Sequence, residues 1–162
     1  MSGKRILFCG PSGSGKSYIA RALKAHLLAK NYSVVLLDGD EVRKTICSDL
    51  SFTDKDIIEN MKRIGEMTKL LQTYNNIDYV IVSVISPLKV GRMLLTKYYR
   101  FNNAYFVNRP ECYDLDLKGL YASGKQRKFE QIDESENIKI INNRTTDRLS
   151  VDAKFLDNLI IQ

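Results

Sequence analysis

An octapeptide near the start of the chain, GPSGSGKS at residues 10–17, constrains the fold more than any other stretch. It matches the pattern G-x-x-x-x-G-K-[ST] without a mismatch, directly after the apolar run ILFC and directly before a segment with helical spacing. Glycines leave no side chain in the way of a bound group, and such a loop directs several backbone N–H groups inward. The stretch therefore predicts a phosphate-binding loop between a strand and a helix.

This loop also predicts which groups hold a nucleoside triphosphate and its metal ion. Lys16 is expected to neutralise the β- and γ-phosphates, and the hydroxyl of Ser17 is expected to bind Mg²⁺. We therefore predict ATP and Mg²⁺ as cofactors. The predicted cofactor-binding residues are Gly10, Pro11, Ser12, Gly13, Ser14, Gly15, Lys16 and Ser17.

The remainder of the chain alternates short β-branched runs with longer helical segments. Strands are predicted at 4–9, 33–38, 78–85, 103–108 and 138–142. Helices are predicted at 17–30, from 53 to about 74, from Pro87 to about Tyr99, at 111–117 and at 151–161. This alternation indicates an α/β, three-layer P-loop NTPase fold, with a mostly parallel five-stranded sheet and helices on both faces. A chain of 162 residues is expected to form a single domain over 1–162.

Composition and charge narrow the class of partner. Hydrophobic residues make up 44% and charged residues 27%, and no apolar run is long enough to cross a membrane. No signal-peptide pattern is present, and the three cysteines lack metal-ligand spacing, so we expect a cytoplasmic protein with reduced thiols. The net charge of +6 suits an anionic partner. Because the basic residues are scattered, we expect a small nucleotide rather than nucleic acid, with a nucleic-acid-binding ATPase as the alternative from another class.

Two aspartates follow the second predicted strand, in LLDGDEVRK at residues 36–44. Since ligands bind at the carboxyl ends of parallel strands, Asp38 and Asp40 are expected beside the phosphates. One carboxylate can support Mg²⁺ while the other accepts a proton from an acceptor hydroxyl. Arg43, about one helical turn after Asp40, can bind an anionic substrate. A small-molecule kinase is the simplest interpretation, because the chain has NRPE where a GTPase would carry its N-K-x-D guanine reader.

Further signals lie after the third and fourth predicted strands. Ser86, in VISP, is expected at the carboxyl edge of the sheet. The stretch DLKGLYASGKQRKF is basic and contains glycines, which suits a mobile lid near 117–130 that closes over two nucleotides.

Together, these motifs resemble the adenylyl-sulfate kinase family. GPSGSGKS is similar to the family's GLSGSGKS, LDGDEVR to LDGDNVR, and DLSFTDKDIIENMKRIGE to DLGFSxxDRxxNIRRIGE. VISPLKVGR resembles FISPxxxxR, RPECYDLDLKGLY resembles PLExCExRDxKGLY, and FEQID resembles FTGID. The resemblance covers roughly residues 4–133 and implies transfer of the ATP γ-phosphate to the ribose 3′-hydroxyl of adenylyl sulfate. Family members are commonly dimers, so it also implies a homodimer.

The resemblance implies a role for each matching residue. Asp40 would act as the base, with Asp38 supporting it or the metal, and Phe52 would stack on the acceptor base. Ser86 lies where the family places a phosphoserine. Because direct in-line transfer needs no enzyme intermediate, Ser86 is expected instead to contact the acceptor through its hydroxyl or backbone N–H. The implied catalytic residues are Asp40, Lys16 and Ser86, and the implied metal ligands are Ser17 and Asp38. The implied substrate-binding residues are Asp38, Arg43, Phe52, Asn60, Ser86, Lys118, Gly119, Leu120 and Phe129.

One departure from the family falls on the acceptor site. Where the family has Asp-Arg, this chain has Asp56–Ile57, so an apolar side chain replaces an arginine expected to face the phosphosulfate. Ile57 and Asn60 are three residues apart and share a helical face. Lys62 or Arg63 could compensate.

A second departure replaces the family's Thr-Gly by Glu130–Gln131, which is expected to place a negative charge near the acceptor. A second candidate for the acceptor is therefore another nucleotide diphosphate analogue, such as the cytidine diphosphoramidate used in some bacterial capsule pathways. A catalytically inactive ATP-binding domain is a third interpretation.

Overall fold

The computed structural model describes residues 3–116, 118–125, 128–144 and 149–161. These residues form five strands, β1 (Lys4–Cys9), β2 (Val34–Asp38), β3 (Tyr79–Val84), β4 (Asn103–Asn108) and β5 (Lys139–Asn142). The strands pair in parallel in the order β2-β3-β1-β4-β5. The predicted parallel five-stranded sheet is confirmed, and every strand end lies within one residue of its predicted position.

Helices connect the strands. They are α1 (Lys16–Ala29), α2 (Gly39–Lys44), α3 (Asp54–Asn75), α4 (Lys89–Met93), α5 (Cys112–Leu115) and α6 (Ala153–Asn158). A π-helical turn, Leu94–Tyr98, continues α4, and a 3-10 turn spans Glu134–Glu136. Thr53 caps α3 as predicted, because its hydroxyl accepts the N–H of Asp56 at 3.2 Å. Within the described ranges, no helix is long and apolar enough to span a bilayer.

Side chains along β1 alternate between the two faces of the sheet, which explains why the hydrophobic core consists of two clusters. Ile6 and Phe8 lie in one hydrophobic cluster with residues of α1 and α6. Leu7 lies in a second cluster with residues of α3, because successive strand residues face opposite sides of a sheet. All six residues of β3 are buried, as expected for a strand covered on both faces. Helices therefore cover both faces, which confirms the predicted three-layer arrangement.

The segment after β3 differs from the prediction. Pro87 does not open a helix, since α4 begins at Lys89. The carbonyl of Pro87 instead accepts the N–H of Glu130 at 2.9 Å and the guanidinium of Arg92 at 2.8 Å. One partner lies far along the chain, so the local pattern around Pro87 could not indicate this start.

The predicted lid is described at 118–125 and 128–130. Its remaining residues, Leu117, Gln126 and Arg127, lie outside the described residues. The carboxylate of Asp116 accepts backbone N–H groups of residues 120–122, at 2.9 Å for the first and the last of them. Phe129 packs edge-on against Phe106 of β4, with ring centroids 5.2 Å apart. The Asp116 contacts are local to the start of the stretch, whereas Phe129 connects its end to β4, and the mobility of the lid stays a prediction.

A close approach between α3 and Tyr99 makes Gly65 a test of core packing. A Cβ on Gly65 would lie 2.2 Å from a ring carbon of Tyr99, which is 1% exposed. We expect Gly65→Ala to lower the free energy of unfolding by about 1–3 kcal/mol through overpacking. Helix propensity alone predicts the opposite sign, a gain of about 1 kcal/mol. Urea denaturation of both proteins measures the difference, and a more stable variant would show that Tyr99 moves aside without cost.

Candidate active site

A cavity of about 700 Å³ opens at the carboxyl edge of the sheet. Its walls come from the loop after β1, from α2, from the start of α3 and from the end of β3. The predicted site residues that line it are Ser12, Gly13, Gly15, Lys16, Ser17, Asp38, Asp40, Arg43, Phe52, Asn60, Lys118 and Leu120. The predicted site residues that do not line it are Gly10, Pro11, Ser14, Ser86, Gly119 and Phe129.

The loop between β1 and α1 has the backbone geometry of a phosphate cradle. Gly13 and Gly15 have φ angles of 81° and 98°, in the region that other residues rarely adopt. α1 begins directly after Gly15, so the positive end of a 14-residue helix points into the loop. Backbone N–H groups and the helix field together favour an anion here.

Lys16 is held inside this cradle. Its side chain is almost fully buried, and the residue is only 8% exposed. The ammonium donates to the carbonyl of Pro11 at 3.1 Å. Burial lowers the pKa of Lys16 to about 8, and the negative charge of Asp40 counteracts only part of this. A bound polyphosphate would supply the negative charge that this buried ammonium lacks.

Oxygen ligands cluster between the loop and β2. The hydroxyl of Ser17 lies 3.0 Å from that of Ser83, which is the register partner of Asp38 across β2 and β3. One carboxylate oxygen of Asp38, Oδ1, caps α2 by accepting the N–H of Asp40 at 3.1 Å. The other, Oδ2, is buried, has no hydrogen bond from the described residues and lies 3.7 Å from the guanidinium of Arg21. A hydroxyl and a free carboxylate oxygen are ligands that Mg²⁺ accepts.

Asp40 projects from the first turn of α2 into the cavity, where it forms an ion pair with Lys118. Burial acts to raise the pKa of Asp40, but the hydrogen bond and charge of Lys118, with the charge of Lys16, outweigh it. The pKa of Asp40 is therefore lower than its usual value, and the side chain is an anion at neutral pH. The predicted lid thus reaches the predicted base directly.

Arg43 and Phe52 form the outer wall of the cavity. The guanidinium of Arg43 lies over the ring of Phe52, 4.7 Å from its centroid, and donates to the carbonyl of Ser51 at 2.7 Å. Phe52 is 40% exposed, so its other face is accessible. This arrangement offers one aromatic face for a planar group and one cation beside it.

Ile57 and Asn60 face the same cavity from α3, as their spacing predicted. Each is 3% exposed, and the buried carbonyl oxygen of Asn60 accepts no hydrogen bond within the described part of the chain. Neither Lys62 nor Arg63 lines the cavity, so neither compensates for Ile57. Arg63 is instead bound to both carboxylate oxygens of Asp49, at 2.6 and 2.9 Å. The cavity wall formed by α3 is therefore apolar here, apart from one amide oxygen without a hydrogen bond among the described residues.

Ser86 lies at the carboxyl edge of the sheet, as predicted, but it does not line the cavity. It is fully buried, and the cavity is lined instead by its neighbours Ile85 and Pro87. Its hydroxyl packs at Gly91, where a Cβ would come within 3.3 Å, and its carbonyl accepts from Arg92 at 3.1 Å. Close packing against Gly91 of α4 keeps the hydroxyl out of the cavity, and a contact of the Ser86 backbone N–H with an acceptor stays a prediction.

The expected negative charge of Glu130 also lies elsewhere. Its carboxylate accepts the backbone N–H of Lys89, the first residue of α4, and it does not line the cavity. A carboxylate at that position satisfies a free helix N–H group and suits the helix dipole. Glu130 is therefore a cap of α4, and its effect on a nearby acceptor stays a prediction.

On the other side of the phosphate loop lies a second cavity of about 440 Å³. The residues lining it include Gly15, Tyr18, Ile19, Arg109, Asn143, Leu149 and Val151. Arg109, Asn143 and Ser83 were not predicted as site residues. For Ser83 a signal existed, because it is the one polar residue in a strand that is otherwise apolar apart from Tyr79. Arg109 and Asn143 belong to no motif that was used.

Comparison with known proteins agrees with this geometry. Residues 2–138 match the family model for adenylylsulphate kinase. The adenylyl-sulfate kinase of Marinobacter nauticus is 41% identical over 135 residues, which cover 79% of this chain and 67% of the relative. That of Vibrio cholerae is 37% identical over 164 residues, covering 97% and 74%. The chain spans about three fifths to three quarters of the length of the curated relatives it matches.

A solved structure shows the same arrangement of elements. The APS kinase CysC of Mycobacterium tuberculosis, in complex with AMPPNP and APS, superposes with a TM-score of 0.76 over 98% of both chains, at 29% identity. The match of sequence pattern, family model and fold shows that this chain belongs to the adenylylsulphate kinase family.

Proposed function

We propose that this chain is an ATP-dependent kinase that transfers the γ-phosphate to the ribose 3′-hydroxyl of adenylyl sulfate. One observation carries the proposal: the phosphate loop, Lys16 and the ionised Asp40 line a single cavity. The cavity volume of about 700 Å³ is in the range of small-molecule sites. The solved relative that superposes on this chain was complexed with an ATP analogue and APS together.

In this proposal the phosphate loop and Lys16 hold the donor. Inward N–H groups and the N-terminus of α1 neutralise the phosphates. Lys16 stabilises the negative charge that develops on the transferred phosphoryl group. Asp40 accepts the proton of the 3′-hydroxyl as its oxygen attacks the γ-phosphorus, and ADP leaves on the opposite side. The ion pair between Lys118 and this carboxylate must open before Asp40 can take the proton.

The residues present also fit Mg²⁺. Ser17 and Asp38 would hold it. The buried Oδ2 of Asp38 has no hydrogen bond among the described residues. The hydroxyl of Ser17 lies 3.0 Å from that of Ser83, the register partner of Asp38. Across the described residues no cluster of three His, Cys, Asp or Glu side chains could hold a metal. Mg²⁺ needs none, since it is commonly bound by one or two protein ligands with phosphate and water oxygens. When bound, the ion would neutralise charge on the transferred phosphate.

The acceptor nucleotide is assigned to the far end of the cavity. Its base would stack on the free face of Phe52, and Arg43 would face its phosphate. The unsatisfied carbonyl of Asn60 would accept a hydrogen bond from the acceptor, since a buried polar atom without a partner is costly.

A second acceptor is favoured by one observation, the presence of Ile57 in the cavity wall. An apolar side chain gives no charge-assisted bond to a terminal sulfate, a loss of about 1.5–3 kcal/mol. The alternative is another nucleotide diphosphate analogue, such as cytidine diphosphoramidate, whose binding would not depend on an arginine at position 57.

Offering both acceptors with ATP labelled at the γ-phosphate separates the two candidates. We expect label on adenylyl sulfate, and we expect Ile57→Arg to lower its KM. Transfer to the cytidine compound alone would replace the proposed acceptor, while absence of transfer to either would remove the kinase assignment.

The lowered pKa of Lys16 predicts that ATP binding takes up protons. With a pKa of about 8, roughly half of the Lys16 side chains are neutral at pH 8 in the free protein. Phosphate charges favour the ammonium, so binding should take up about half a proton at pH 8, and affinity should fall as the pH rises further. Titration calorimetry in buffers of different ionisation enthalpy measures the uptake. Lys16→Arg is the control, because arginine stays protonated and should show none. Binding at pH 8 without proton uptake would contradict the prediction.

A further inference from the structure

Two side chains from the far side of the sheet bind the outside of the phosphate loop. The guanidinium of Arg109, after β4, donates to the carbonyl of Gly13 at 3.1 Å. The amide of Asn143, after β5, donates through Nδ2 to the carbonyl of Ser14 at 2.8 Å. The loop carbonyls that these groups hold are consecutive, so the two contacts fix adjacent peptide planes.

The Asn143 contact sets the direction of an amide in the cradle. In a trans peptide the C=O of one residue and the N–H of the next point in opposite directions. Because the carbonyl of Ser14 points to Asn143, the N–H of Gly15 points to the opposite side of the loop. The fit is tight, since a Cβ on Gly15 would lie 2.6 Å from Nδ2 of Asn143.

Asn143 is itself fixed by the sheet. Its backbone N–H donates to the carbonyl of Asn108 at the end of β4, at 3.0 Å, directly after the last β4–β5 register pair. Its side-chain oxygen receives a longer contact of 3.5 Å from the N–H of Leu149. Asn143 and Leu149 both line the second cavity, which adjoins the loop at Gly15. One half-buried amide thus connects the strand end, the cavity wall and the cradle.

We propose that Asn143 is a positioning residue for phosphate binding, which orients the Gly15 N–H toward the phosphates by holding the carbonyl of Ser14. The proposal rests on the proposed function for the identity of the anion, a nucleoside triphosphate. Asn143 lies outside residues 2–138, which match the family model. It acts on the phosphate end of the ligand, although its side chain also faces the second cavity.

Binding of a ligand without a base tests this assignment. Asn143→Ala removes the amide and its bulk, whereas Asn143→Leu removes the donor but keeps a similar volume in the cavity wall. Both variants should bind inorganic tripolyphosphate with Mg²⁺ roughly two- to tenfold more weakly than the wild-type chain, the range of one net hydrogen bond. Adenosine, which has no phosphate, should bind Asn143→Leu with nearly unchanged affinity.

Asn142→Ala is the matched control, because it removes the 2.9 Å hydrogen bond with Asn108 at the same sheet edge without a contact to the loop. It should leave tripolyphosphate binding unchanged, and melting curves of all variants show whether they fold. If Asn143→Leu binds tripolyphosphate as tightly as the wild type, the positioning role is overturned. If tripolyphosphate binding falls as expected while the wild type transfers no phosphate to adenylyl sulfate, the positioning role stands and the proposed acceptor fails.

Discussion

Replacing Asp40 by asparagine is expected to lower the rate of phosphoryl transfer by about 10²–10⁴-fold, the range for losing a general base. Asparagine keeps the size of the side chain but cannot accept a proton from the acceptor hydroxyl. Asp40 makes no hydrogen bond to the phosphate loop among the described contacts, so the dissociation constant of Mg·ATP should change little. Single-turnover kinetics and ATP titration measure the two quantities separately.

Glu41→Gln is the matched control for this variant. Glu41 is the next residue of α2, its carboxylate pairs with Lys44 at 3.0 Å, and it does not line the cavity. Its removal should leave transfer at the wild-type rate. If Asp40→Asn also transfers at the wild-type rate, Asp40 is not the base and the acceptor proton goes elsewhere.

The second large effect is expected from a buried ion pair behind the cavity. Arg92 donates to Glu136 at 2.6 Å and 3.0 Å, and both side chains are completely buried. The guanidinium also donates to the carbonyls of Ser86, at 3.1 Å, and Glu130, also at 3.1 Å. Arg92 therefore connects the end of the lid to the segment that follows β3.

Glu136→Ala leaves the Arg92 charge buried without its partner, which is expected to cost about 3–5 kcal/mol of folding free energy. For a chain of this length each kcal/mol lowers the melting temperature by about 2–4 °C. Calorimetric melting measures the loss. The exposed pair of Glu41 and Lys44 supplies the control, because Glu41→Ala should shift the melting temperature little. Equal small shifts for both variants would mean that water or another group reaches Arg92.

Much of the fold could be predicted from local pattern. β1 and β4 were predicted with both ends correct, because continuous apolar runs bounded by polar or turn residues mark buried strands. The N-cap of α3 at Thr53 followed from a hydroxyl residue before two acidic residues. Motif spacing also brought Asp38, Asp40 and the phosphate loop to one edge of the sheet, because parallel strands share it.

What local pattern missed depends on contacts between distant residues. Arg109 and Asn143 hold the phosphate loop from 96 and 129 residues away, and nothing near either residue indicates that contact. Ser86 was assigned to the acceptor by its motif, but the packing of Gly91 against it decides its orientation. Glu130 was interpreted from its charge alone. Its carboxylate accepts the backbone N–H of Lys89 at the start of α4, and this contact forms only in the folded chain.

The strand order places the two cavities beside different strands of the sheet. β2 and β3 lie on one side of β1 and lead to the first cavity, whereas β4 and β5 lie on the other side and lead to the cavity beside Asn143. Only Gly15 and Tyr18, both at the start of α1, line both cavities among the described residues. Under the proposed function, a substitution at position 57 would therefore change the first cavity without altering the second.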